Sequence, residues 1–146
     1  LAFHVFASVL GCALLAVACA AGLLFVWRRK SLKAGGPGGM DGGWPALTAL
    51  DGLFVRATGW GMIFLTAGMV LGAFRIPGTE GHDAWYADVR TVLSLLGWGL
   101  FAVTAIARRR RGFSTPAAVG LGVAGYLLIL AGLLARGLGA SGFHKF

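Results

Sequence analysis

The reading of the fold rests on LAFHVFASVLGCALLAVACAAGLLFVWRRK, residues 1–30. Twenty-seven residues pass before the first lysine or arginine, and then three basic residues follow together. At 1.5 Å per residue, 27 helical residues measure about 40 Å, more than the ~30 Å of a bilayer's hydrocarbon core. Trp27 stands at the far end of the run, at the depth where tryptophan favours the membrane interface. The run has no basic start and no A-x-A-like site ahead of a soluble domain, so it is expected as a retained helix and not as a signal peptide.

Working outward, the pattern repeats. With 58% hydrophobic residues and a mean hydropathy of +0.80, whole windows of about 20 residues lack charge. A soluble domain of this length would show polar faces between its apolar stripes. The runs are too long and uniform for the alternation of barrel strands, and helices satisfy their own backbone in lipid. The expected fold is all-α: a polytopic membrane protein with four transmembrane helices in one domain, 1–146. The spans fall at about 1–27, 53–74, 88–107 and 116–135. Glycine, at 25 residues, suits close helix contact in a membrane, and Gly61, Gly68 and Gly72 are candidate packing points.

The connections differ in character. AGGPGGMDGG, residues 34–43, reads as a flexible linker. The segment after it, PALTALDGLFVR, is amphipathic and is expected to lie along the interface. Thr115-Pro116 reads as the N-cap and first residue of the fourth span. The net charge of +8 does not indicate nucleic acid, because the cations sit at the ends of apolar runs. Arg28, Arg29, Lys30, Lys33, Arg56 and Arg108 to Arg111 share one side, expected to be cytoplasmic. Arg75, Arg90, Arg136 and Lys145 share the other. Four spans place both termini on one side, here expected to be external, and an inner (cytoplasmic) membrane is the expected location. Cys12 and Cys19 share one helical face and read as small packing residues.

The polar loop RIPGTEGHDAWYADVR, residues 75–90, therefore joins His4 and His144 at the external face. A haem site needs an axial imidazole, aromatic flanks and cations near its propionates. This face offers His4, His82 and His144, the aromatics Trp85, Tyr86 and Phe143, and Arg75 with Arg90. The alternative is that these histidines are simply interfacial polar residues. Other chemistries fit less well. There is no H-x-x-H or C-x-x-C for zinc, and Ser8 and Ser94 lie within apolar helices. Glu80, Asp83 and Asp88 read as solvated or helix-capping carboxylates. No broken helix or buried charge pair suggests a transporter's midplane site.

Several short stretches carry a resemblance. His4-Val5 with Ala7 and Leu10-Gly11 is followed by Pro45, Leu47, Leu50-Asp51, Leu53 and Arg56, and then by Gly59, Phe64, Thr66, Gly68 and Gly72. RRRRGF and the ending Ser141-Gly142-Phe143-His144-Lys145-Phe146 complete the series. In this order they resemble the C-terminal half of the CcsA/HemX-like cytochrome c assembly proteins, over nearly the whole chain. That family handles haem. The resemblance implies haem b at the external face, with His4 and His144 at the positions of its ligand histidines. Trp85 and Asp88 match the first tryptophan and the aspartate of the family's WxWDPKExW segment, and Trp98 matches a later tryptophan. Ala87 stands where that segment has its second tryptophan, and Val89-Arg90-Thr91 replaces Pro-Lys-Glu. The implied site is His4, His144, Trp85, Asp88, Arg75 and Arg90. The implied partners are the lipid bilayer and other membrane proteins, a cytochrome c maturation partner among them. A second reading is a structural or accessory subunit of a larger membrane complex that carries no haem.

Overall fold

The computed structural model describes residues 2–34, 46–73, 89–109 and 114–137, of which 89, 90, 109 and 135–137 by backbone alone. Among the described residues there are four helices: α1 (Ala2–Lys33), α2 (Leu47–Ala73), α3 (Val89–Arg109) and α4 (Thr115–Gly137). All four are long and apolar enough to cross a membrane. The outward faces are apolar too. Phe3, Val9, Ile63 and Leu127 are each more than half exposed, which is the surface lipid would cover.

Neighbouring helices run antiparallel. His4 near the start of α1 meets Gly68 and Gly72 near the end of α2. Trp98 of α3 bonds Thr66 of α2, and Gly97 of α3 faces Gly125 and Ile129 of α4. Gly22 of α1 meets Val119 of α4, which closes the ring. The starts of α1 and α3 and the ends of α2 and α4 thus share one end of the bundle. Within this ring α1 packs mainly on α2, and α3 on α4.

Two backbone approaches set the spacing inside those hairpins. A Cβ at Gly11 would lie 2.7 Å from the Leu65 nitrogen and 3.0 Å from its Cα. A Cβ at Gly97 would lie 2.6 Å from the Gly125 carbonyl oxygen. Both obstacles are backbone, so no rotamer change relieves them, and only glycine lets the helices touch this closely. Gly61 and Gly68, expected as packing points, are buried against α1, where Gly61 meets Leu15 and Gly68 meets Ser8.

The core forms two clusters. Ala18, Ala21, Phe54, Ala57, Ala118 and Val119 fill one level, and small alanines from α1 and α2 make room there for Phe54. Leu15, Cys19, Leu65, Phe101 and Ile129 fill the next, with Cys12 packed against it. Both cysteines are free thiols and serve as packing residues. Trp98 Nε1 donates to Thr66 Oγ1 at 2.9 Å, and Thr66 in turn donates to the Met62 carbonyl at 2.7 Å. Thr66→Val removes the acceptor and strands the indole N–H. It should cost about 1 kcal/mol in a reversible detergent unfolding measurement of the purified protein.

Two local expectations are corrected. The amphipathic segment before the second span is not a separate interfacial piece. From Leu47 it is the first part of α2, because Leu50 and Phe54 are buried on the face that α2 turns to the bundle. Thr115 is not the N-cap of α4. The Ala118 N–H donates to the Ser114 carbonyl, so Ser114 takes the cap position, and the Thr115 side chain is engaged elsewhere.

Candidate functional site

Only His4 among the three histidines lies within the described residues. It sits half-buried one turn into α1, at the end of the bundle where α2 finishes. Its Nδ1 lies 2.6 Å from the Gly68 carbonyl oxygen. A carbonyl oxygen only accepts, so Nδ1 carries the proton of this bond. In the neutral ring the lone pair is then on Nε2. The ring lies against Gly72, where a Cβ would come within 2.9 Å of His4 Cε1. Gly72, expected as a helix packing point, therefore makes room for an imidazole. The sequence pairs these groups across 64 positions, so nothing local announced the contact.

Of the other residues expected at this site, Arg75, Trp85, Asp88 and His144 lie outside the described residues, as do His82, Tyr86 and Phe143. Arg90 is described by its backbone alone, in the first turn of α3. The helix ends nonetheless fix where these segments attach. The chain leaves the His4 end of the bundle at Ala73, re-enters at Val89, and leaves it again at Gly137. Among the described residues no three of His, Cys, Asp and Glu come together as a metal site.

The opposite end holds a polar cluster that the sequence reading did not anticipate. One Arg108 nitrogen, Nη2, donates to both carboxylate oxygens of Asp51, at 2.5 and 2.6 Å. Its Nη1 donates to Thr115 Oγ1 at 2.9 Å, and Thr115 donates to Asp51 at 3.2 Å. The cluster ties α2, α3 and the start of α4 together, with the Arg108 and Asp51 side chains 19% and 32% exposed. No buried charge pair was expected; this one is partly buried and lies near the basic end, not midway along the helices. Its sequence signal was Asp51 itself, a single carboxylate within an apolar segment. Such a residue calls for a cation, and Arg108 is the first of the arginines that close the third span.

Four antiparallel helices able to cross a bilayer, with a backbone-braced histidine at one end, define a multi-pass helical membrane protein. The family model described as Cytochrome C assembly protein matches residues 1–144, and the chain belongs to that family. Comparison with curated proteins and with solved structures gave no match.

Proposed function

We propose that this protein binds or presents haem b at the external face of the cytoplasmic membrane, for transfer to an apocytochrome with a partner protein. The observation that carries this reading is the hydrogen bond from His4 Nδ1 to the Gly68 carbonyl. A ligand histidine is commonly held by a bond of this kind at its other nitrogen, which sets the tautomer and the ring orientation. Haem, when bound, would supply an iron that such an imidazole nitrogen can hold. His4 and His144 would hold it, Trp85 and Asp88 would flank it, and Arg75 and Arg90 would receive its propionates. The distribution of cations along the sequence supports the orientation: nine belong to the helix ends and connections on the Arg108 side and four to those on the His4 side.

A second reading, an accessory subunit of a larger complex that carries no haem, is favoured by one observation. The tryptophan-rich segment is changed at Ala87 and across Val89-Arg90-Thr91. Reduced-minus-oxidised visible spectra of the purified protein separate the two. The parent should show a bis-histidine haem signal, and His4→Ala and His144→Ala should each abolish it. A folded, colourless parent protein would sink the haem reading and leave the accessory one.

A further inference from the structure

α2 and α3 are joined by side-chain bonds at two levels, Trp98 to Thr66 and Arg108 to Asp51. On α2 these levels are 15 residues apart, about 22 Å of helix. Between them the helices leave a cavity of about 230 Å³. Phe54, 1% exposed, lies deep in it, and Val55, 44% exposed, opens it toward the bilayer. Thr58, Gly59, Thr104, Ala105 and Arg108 complete the lining.

Two polar atoms of this lining, Thr58 Oγ1 and Arg108 Nε, are buried without a hydrogen-bond partner. Thr58 is only 3% exposed. Unpaired buried polar atoms are destabilising, so both call for an occupant. Arg108 Nε–H can only donate, and the occupant must therefore offer an acceptor oxygen. Its remainder must be apolar, because Phe54, Val55 and Ala105 line the rest and the Thr104 hydroxyl already donates to the Leu100 carbonyl. A volume of 230 Å³ corresponds to roughly eight waters, too large for one bridging water and too small for a whole lipid. A headgroup fragment fits, with its chains leaving past Val55.

We propose that this cavity is a binding site for an anionic phospholipid. A phosphate or ester oxygen accepts from Arg108 Nε and from the Thr58 hydroxyl, and the first acyl methylenes cover Phe54 and Val55. Charge selects the lipid class. Asp51 already neutralises Arg108, but Arg56 follows Val55 on α2, and in the sequence Arg108 is followed directly by three more arginines. The site lies at the end away from His4 and stands or falls independently of haem binding.

Gly59 provides the test, because a Cβ there meets nothing within 4 Å. Gly59→Leu would fill the cavity without a backbone clash. The full chain is placed in nanodiscs of phosphatidylcholine, with and without phosphatidylglycerol, and retained lipid is counted by native mass spectrometry. Phosphatidylglycerol should be retained selectively and should raise the unfolding temperature by roughly 5 °C. Gly59→Leu should weaken retention about tenfold or more while keeping its helical spectrum. If Gly59→Leu does not fold, Thr58→Val removes the hydroxyl at nearly constant volume and should weaken retention in the same direction. Equal retention of the two lipids overturns the proposal. So does unchanged retention by the variants, or an equal temperature rise from inorganic phosphate in phosphatidylcholine discs.

Discussion

Gly11→Leu should fail to form the α1–α2 contact, with a loss of about 3 kcal/mol or no recoverable folded protein. Its Cβ alone would sit 2.7 Å from the Leu65 nitrogen, and Gly61 O would be 3.1 Å away. The added side chain has no free volume to enter, because Leu15 and Leu65 already fill the neighbouring core. The helices must therefore separate, and in lipid no hydrophobic force draws them back, since lipid tails are as apolar as leucine. Gly52→Leu is the control. It makes the same change on α2 where a Cβ meets nothing, and it should leave stability within ~0.5 kcal/mol. Detergent unfolding followed by circular dichroism measures both. Equal losses in the two variants would show that close approach at Gly11 is not what sets the cost, since helix propensity alone favours both replacements.

Asp51→Ala should cost about 2 kcal/mol, Arg108→Met a similar amount, and the two changes together clearly less than their sum. Removing Asp51 leaves the Arg108 guanidinium between α2 and α3 with only Thr115 as partner among the described residues. Removing Arg108 leaves a carboxylate at the edge of an apolar helix. Complete burial would raise each cost to 3–5 kcal/mol, and the partial exposure of both side chains reduces it. The double variant removes both charges, so a coupling of at least ~1 kcal/mol is expected from the cycle. Strict additivity would mean that solvent and lipid headgroups already satisfy each charge alone.

The four helices were legible in the sequence because a membrane span is a composition signal: charge-free length is enough to reveal it. Boundaries were less legible. The amphipathic character of 45–56 reads equally as an interfacial helix or as the first turns of a spanning one, and only the burial of Leu50 and Phe54 decides. Thr115 beside a proline has the local pattern of a cap, yet its hydroxyl serves a tertiary contact that no local pattern encodes. At the candidate site His4 was found by residue type and by resemblance. Gly68 and Gly72 were read as helix packing points and not as its partners, because a carbonyl oxygen and a missing Cβ have no chemical signature in a sequence. Arg108 was read for its charge alone, as a mark of orientation. Its pairing with Asp51 depends on how α2 and α3 align, which follows from packing.

The glycine contacts inside each hairpin bear on how the chain is made. α1 and α2 are complementary through Gly11 and Gly61, and α3 and α4 through Gly97 and Gly125, whereas the link between α2 and α3 rests on a few polar bonds around a cavity. Each pair can close on itself as it leaves the ribosome, before the other pair exists. The two hairpins are thus units that can form separately during insertion, with the packing of one against the other as a later event.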